Sequence, residues 1–349
     1  MILMEDKPLA PLTTLGVGGA ARWYVEAASE EEIVEAAAWA RERGAPLFVL
    51  GGGSNLLVAD AGFDGLVVHV ALRGIEASNA GIYRVTAGES WDDCIEQTLK
   101  EGCAGLECLA GIPGTVGGTP VQNVGAYGQE VSSLIERVRA FDLRERVFVE
   151  FTNAECGFAY RRSRFNTVDR GRFVVTRVDY KLTPGGAATV RYAELQRALA
   201  GREASLLEVA DVVRQIRQSK GMLLVEGDPD CKSAGSFFKN PVVSEAEFDR
   251  IAAVSAASSR KAPPRFPAGV GAEFEGLAKV PAAWLIEQAG FSKGTRLGNA
   301  GISSRHTLAL VNLGVASAAE ILALAGKITT AVEARFGVRL EMEPVRLGG

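Results

Sequence analysis

Between Gly105 and Gly128 the chain is built largely from glycine, proline, threonine and asparagine, and shows little period of its own. A connection of that length without regular structure is usually functional or disordered. Its apolar residues and Tyr127 argue for an ordered loop, which regular elements elsewhere must hold in place.

Those elements are legible on either side. Residues 22–26 read as a strand, and Ser29 with Glu32 forms a capping box for a helix that runs to about Arg43 and stops at Gly44. The apolar run 46–50 is short enough for a buried strand, and strand-like runs follow at 66–70 and 82–87. Ser90 opens a helix that Gly102 ends, and alternating strands occupy 135–151 and 172–182. Capping boxes recur at Ser205/Glu208 and Ser317/Glu320, the second opening an apolar helix to Phe336, while the composition of 255–276 suggests a surface loop. Strands and helices mix without strict βαβ alternation, which predicts an α+β fold rather than a doubly wound sheet.

Composition narrows the function. A chain of 349 residues exceeds what one core comfortably serves, so two or three domains are expected. A formal charge of −4 and no Lys/Arg run argue against nucleic acid as a partner. Five cysteines without a CxxC pair, and only His69 and His306, leave little for a disulfide framework or a metal centre. No signal-peptide pattern and no apolar run of membrane-span length are seen, so the expected compartment is the cytoplasm.

Two glycine tracts carry the chemistry. Gly16-Val-Gly18-Gly19-Ala-Ala21 fits a dinucleotide fingerprint in letters, but a strand follows it where a helix is required. Gly51-Gly52-Gly53-Ser54-Asn55 follows a strand, yet the next residues are punctuated by Asp60, Gly62, Asp64 and Gly65, and no tract ends in the Gly-Lys-Ser/Thr of a P-loop. Successive amides in tight turns can still grip a phosphate without lysine. The first tract offers Gly51, Gly52, Gly53, Ser54 and Asn55. The second offers Gly111, Pro113, Gly114, Thr115, Gly117 and Gly118, extended by Gln122, Asn123, Gly125, Ala126 and Tyr127. A diphosphate that is held but not transferred points to a cofactor such as FAD.

LGGGSNLL (50–57), GIPGTVGGTPVQNVGAYGQE (111–130), YRRSRF (160–165), GSFFKNP (235–241) and AAWLIEQAG (282–290) together resemble the UDP-N-acetylenolpyruvoylglucosamine reductase family, in the family's order and over nearly the whole chain. The resemblance implies a vanillyl-alcohol-oxidase-type FAD fold of two subdomains, about 1–71 and 72–209. A substrate domain would span 210–340, with the tail 341–349 returning to the active site. It further implies noncovalent FAD, NADPH as hydride donor, and reduction of UDP-N-acetylglucosamine enolpyruvate to UDP-N-acetylmuramate in peptidoglycan precursor synthesis, by a monomer.

By position, Arg161 resembles the family's active-site arginine, Ser236 its proton donor and Glu343 its active-site glutamate. Tyr192 resembles the tyrosine of the mobile loop found in one subclass, and Lys220, Asn240 and Gln288 match positions that hold the sugar nucleotide. The residue types suit the chemistry. Reduction of the double bond leaves negative charge beside a carboxylate, which a guanidinium fork can grip. A positioned hydroxyl suffices to protonate so strong a base. If 160–165 is extended, Arg161 and Arg162 point to opposite sides, and only one faces the site. As bare sequence features, Glu341 is as eligible as Glu343, and Ser236 reads as a turn serine. Pro344 departs from the family's usual Val-Arg, and Phe266 stands where a tyrosine is frequent. His69 lies in an apolar strand, where a core role is expected rather than a covalent flavin anchor. The competing readings are a flavin oxidase of the same cofactor-domain type, acting on an alcohol or hydroxy acid, and a binding protein without turnover.

Overall fold

The computed structural model describes residues 1–257, 261–269 and 274–349. The chain divides into two compact units that are not contiguous in sequence: Met1–Lys7, Ala21–Gly53 and Phe63–Ser219 form one, and Pro8–Ala20, Ser54–Gly62 and Lys220–Gly349 the other.

Two sheets build the first unit. One has the order Leu3–Pro8, Ala20–Ala27, Phe63–Val70, Leu47–Leu50, with parallel pairing of Tyr24 to Val67 and Val49 to Val68. Helix α1 (Glu30–Glu42) is the crossover between two of its strands. Ser29 Oγ accepts from the Glu32 amide at 3.2 Å, Glu32 reaches back to the Ala28 amide, and Gly44 turns the chain at φ 61°. The other sheet is antiparallel, ordered Phe148–Thr152, Ile135–Asp142, Phe173–Lys181, Ile82–Thr86, Ile75–Ala77. The alternation expected over 135–151 is thus two strands, because a turn holding Arg146 at φ 61° interrupts it. Helices α2 (Trp91–Lys100), α3 (Ala193–Ala198) and α4 (Leu206–Ser219) complete the unit, and Val25, Leu66, Trp91, Val138 and Val178 lie in one continuous apolar core.

The stretch 105–128 is ordered, as its apolar residues imply. It folds into short 3-10 turns at Glu107–Leu109 and Val116–Gly118, then enters a hairpin in which Gly125–Ala126 pairs with Gln129–Glu130.

In the second unit a sheet ordered Ser233–Ser236, Ala309–Asn312, Ala300–Ile302, Arg296–Leu297 packs with helix α5 (Glu245–Ala257), helix α6 (Ala282–Gln288) and helix α7 (Ala318–Phe336). The α7 capping box at Ser317/Glu320 is complete in both directions, and Gly337 ends the helix at φ 65°. The loop expected over 255–276 is only partly one. Its first residues finish α5, with Ser255 buried, and Phe266–Pro267 pairs with Leu277–Lys279; residues 258–260 and 270–273 lie outside the described part. The fold class is α+β. No described helix is long and apolar enough to cross a membrane.

Candidate functional site

Gly51–Gly53 of the first glycine tract meet the second tract within the first unit. A Cβ built on Gly52 would lie 2.6 Å from the Gly114 Cα, and one on Gly51 would lie 2.9 Å from Thr115 Oγ1, so the tracts pack backbone against backbone and exclude larger residues. Gly118, by contrast, faces open space where a side chain would stand. Such a lining of amides with little side-chain bulk fits a cofactor diphosphate. The Gly111 peptide is fixed from two helices: its N–H donates to Asp92 Oδ1 at 2.7 Å, and its carbonyl accepts from Arg217 Nε at 2.9 Å. Arg214 in turn bonds Asp92 at 3.0 Å.

Among the described residues six non-glycine residues hold left-handed backbone conformations, and three of them lie here: Asn123 at φ 45°, Tyr127 at φ 48° and Arg161 at φ 55°. Tyr127 and Gly128 (φ 83°) are the two loop residues of the hairpin, and a two-residue loop favours positive φ at both. Tyr160 and Arg161 form a second tight turn, closed by paired bonds between Ala159 and Arg162 at 2.9 and 3.0 Å. The extended conformation expected for this segment is therefore replaced by a turn. Arg161 is half-buried and Arg162 exposed because of turn geometry, not strand alternation. The two turns are tied together. Arg161 Nη2 donates to the Gly125 carbonyl at 2.8 Å, and Asn123 Nδ2 donates to the Ala159 carbonyl at 3.0 Å and to Glu130 at 2.9 Å. Strained conformations cost roughly 1–3 kcal/mol each and persist where surrounding contacts over-determine them, most often at functional sites. Here three occur in one bonded cluster.

Tyr127 also meets Tyr192 edge to face, with ring centroids 5.6 Å apart and planes at 85°. Burial pushes the Tyr127 hydroxyl up to about 12 against the opposing charge of Arg217. Burial likewise pulls the Arg217 guanidinium below its ordinary value, with Tyr127 opposing. Tyr192 caps α3, and its ring is still substantially exposed.

In the second unit, Ser236 ends the strand that pairs with Ala309–Asn312, beyond an irregularity at Gly235 (φ 69°). Phe237 and Phe238 follow, both buried, with their rings packed edge to face at 5.3 Å. The tail pairs with them: the Glu343 amide donates to the Phe237 carbonyl at 2.9 Å, and the Lys239 amide to the Glu341 carbonyl at 2.9 Å. Asn55 Nδ2 donates to the Glu343 carbonyl at 3.3 Å, and Val345–Leu347 runs parallel to Leu56–Val58. Thr14 Oγ1 lies 2.7 Å from the Ser233 carbonyl and 3.3 Å from that of Ser54. One bonded network thus joins Ser54, Asn55, the Ser236 strand and Glu343. The first tract is divided, with Gly51–Gly53 in one unit and Ser54–Asn55 in the other.

Lys220 directly follows α4, and the next residue, Gly221, turns at φ 66° with no room for a side chain beside Asp230. Asn240 Oδ1 accepts from the Ala282 amide at 2.9 Å, which fixes the donor end of its carboxamide. Gln288 is the last residue of α6. Phe266 is exposed on its short strand. His69 is half-buried and bonded to Tyr24 through Nδ1 at 2.8 Å, outside the apolar core.

Several supporting residues escaped the sequence reading. Asp92 and Arg217, on helices α2 and α4, carry no motif of their own, and their role shows only in the bonds they make to Gly111. Arg305 pairs with Asp228 and Asp230, and Asp230 also accepts from Ser304 Oγ at 2.6 Å. A buried charge inside an apolar run was the available signal for Glu107 in Leu106-Glu-Cys-Leu109, which is 0% exposed.

Residues 21–147 match the family model described as FAD binding domain, and 228–347 match the C-terminal domain of UDP-N-acetylenolpyruvoylglucosamine reductase. A crystal structure of UDP-N-acetylenolpyruvylglucosamine reductase from Thermus caldophilus superposes with a TM-score of 0.67 at 29% identity, covering 99% of this chain and 100% of that one. The UDP-N-acetylenolpyruvoylglucosamine reductase of Thermobifida fusca is 44% identical over 99% of this chain and 98% of its own. That of Streptomyces coelicolor is 46% identical over 99% of this chain and 90% of its own. With identity at that level along nearly its whole length, the chain belongs to the UDP-N-acetylenolpyruvoylglucosamine reductase family.

Proposed function

We propose that the chain reduces the enolpyruvyl double bond of UDP-N-acetylglucosamine enolpyruvate to give UDP-N-acetylmuramate, using FAD and NADPH. The observation that carries this reading is the 42–46% identity with curated reductases over 97–99% of the chain. When bound, FAD supplies the two-electron relay between NADPH and the enolpyruvyl group. The amides of Gly51–Gly53, Gly114 and Thr115, on a surface that Gly111, Pro113, Gly117 and Gly118 keep free of side-chain bulk, would hold it noncovalently with Ser54, Asn55, Gln122, Asn123, Gly125, Ala126 and Tyr127.

Arg161 binds the substrate carboxylate, and its turn conformation, fixed through Gly125, presents the guanidinium without further ordering. Ser236 Oγ–H donates a proton to the carbon that becomes electron-rich on reduction. Its position one residue before two buried phenylalanines supports a dry environment for that transfer. Glu343 orients or replenishes that proton. Lys220 binds a substrate phosphate, while Asn240, Gln288 and Tyr192 hold the sugar nucleotide. Two cofactor subdomains, 1–71 and 72–209, a substrate domain, 210–340, and a returning tail, 341–349, follow from the same reading, as do a monomeric state and a cytoplasmic location.

Purified protein should be yellow, and NADPH consumption beyond one equivalent per flavin should require the enolpyruvyl sugar nucleotide. Colourless protein that takes up no FAD, or NADPH loss indifferent to the sugar nucleotide, would overturn the reading. Oxygen uptake with an alcohol or hydroxy acid would favour the oxidase instead.

A further inference from the structure

Glu107 is fully buried, and its carboxylate is bonded by three uncharged donors. Oε2 accepts from the Gly105 amide at 2.7 Å; Oε1 accepts from Gln129 Nε2 at 2.9 Å and from the Thr189 amide at 2.9 Å. Burying a carboxylate without a cation is costly unless its hydrogen bonds are made in full. The three partners come from separate segments. Gln129 directly follows the Tyr127–Gly128 turn, and Thr189 lies in the irregular stretch that leads into Tyr192 and α3. Cys108 repeats the connection: its amide donates to Gln129 Oε1 at 3.0 Å and its thiol to the Thr189 carbonyl at 3.2 Å. The rings of Tyr127 and Tyr192, carried by these two segments, are themselves in contact.

We infer that Glu107 is a positioning residue that anchors the Tyr192 segment and the Tyr127 hairpin to one buried carboxylate, and so sets where Tyr192 stands. Its consequence for substrate rests on the proposed function, since only there does Tyr192 meet the sugar nucleotide. A carboxylate is needed because it accepts at both oxygens. A carboxamide in its place has one acceptor and leaves an amide donor facing it from Gly105, or from Gln129 and Thr189.

The test uses the FAD-loaded protein. In Glu107→Gln, amide hydrogen exchange over residues 187–205 should accelerate while the sheet strands keep their protection. KM for the enolpyruvyl sugar nucleotide should rise about tenfold, the cost of one buried unmatched donor. The rate at which NADPH bleaches the bound cofactor should stay as in the wild type. Thr189→Pro, which removes the backbone donor and fixes φ at that residue, should reproduce the exchange result and decides the matter if Glu107→Gln does not fold. Wild-type exchange over 187–205 in a folded variant overturns the anchor. Faster exchange with unchanged KM upholds it and instead removes Tyr192 from the substrate site, which separates the two claims.

Discussion

The Glu343 amide donates to the Phe237 carbonyl at 2.9 Å, which ties the backbone of the C-terminal tail to the residue immediately after Ser236. Asn55 adds a second tie at the Glu343 carbonyl. Glu341, two residues earlier, is also tied, through its carbonyl, but its carboxylate is 76% exposed and 3.4 Å from Lys239, whereas Glu343 is half-buried. The two glutamates that the sequence left equally eligible are thus separated by their surroundings.

Glu343→Gln is therefore expected to lower kcat by about 10²-fold or more, the scale of a lost acid–base group. Glu341→Gln should change it less than twofold, since exposed ion pairs contribute little. Steady-state kinetics on both variants checks this, and the reverse order of effects would reassign the active glutamate.

Ser236→Ala should separate the two half-reactions. Bleaching of the bound cofactor by NADPH should proceed at the wild-type rate. Recovery of colour on adding the enolpyruvyl substrate should slow by about 10²–10⁴-fold, the range for a missing general acid. Ser236→Cys should retain more activity than alanine, because a thiol can also donate. Stopped-flow absorbance records both phases, and slow bleaching with normal recovery would move Ser236 to the nicotinamide step.

Arg161→Ala should cost about 10²-fold or more in kcat/KM, as for loss of a charge-stabilising donor. Arg162→Ala should be mild, because that side chain is exposed. Arg161→Gly is the informative control: glycine accepts φ 55° freely, so it removes the guanidinium but relieves the turn. Glycine should be as inactive as alanine yet melt at a higher temperature; equal melting would mean the turn stores no strain.

Much of this architecture is local and was legible. Ser29, Ser90, Ser205 and Ser317 each start a helix for reasons contained within four residues, and the glycine tracts announce close backbone approach wherever they end up. What was not legible depends on distant pairing. The Arg161 turn is closed by its own backbone but fixed by Asn123 and Gly125, and nothing in Tyr-Arg-Arg-Ser specifies positive φ at an arginine. The tail's place beside Phe237 is a backbone interaction, which carries no side-chain signature. Residues 8–20 and 54–62 join the C-terminal unit through contacts such as Asn312 Nδ2 to the Gly16 carbonyl at 3.0 Å, and no composition shift marks them.

His69 gives a pH dependence. Burial holds its imidazole below the ordinary value, against the pull of Glu26, so the folded protein prefers it neutral. A depressed folded pKa means the unfolded chain binds the proton first. The associated stability is complete above the unfolded value of about 6.5 and is lost as pH falls through the folded one. His69→Gln retains an acceptor for the Tyr24 hydroxyl but does not titrate. Its melting temperature should fall less between pH 7 and pH 5 than that of the wild type; parallel curves would show that His69 does not contribute.

The last prediction concerns Asp92, which touches the glycine loop at a single peptide. Its Oδ1 accepts from the Gly111 N–H at 2.7 Å, while Arg217 donates to the carbonyl of the same residue at 2.9 Å. Gly111 has φ 73°, so its peptide planes could rotate readily without these two bonds. Losing one of them leaves the loop intact but less ordered, and the ordering must then occur on binding FAD. Asp92→Ala should raise the FAD dissociation constant about tenfold, as one charge-assisted bond is worth about 1.5–3 kcal/mol and part of it is recovered by water. Asp92→Asn keeps an acceptor for the Gly111 amide but loses the charge and the second oxygen that accepts from Arg214 Nε, so it should lie between alanine and wild type. Flavin fluorescence on titrating stripped protein measures all three constants without reference to turnover. A Kd unchanged in Asp92→Ala would mean the loop is set by the Gly52–Gly114 packing alone.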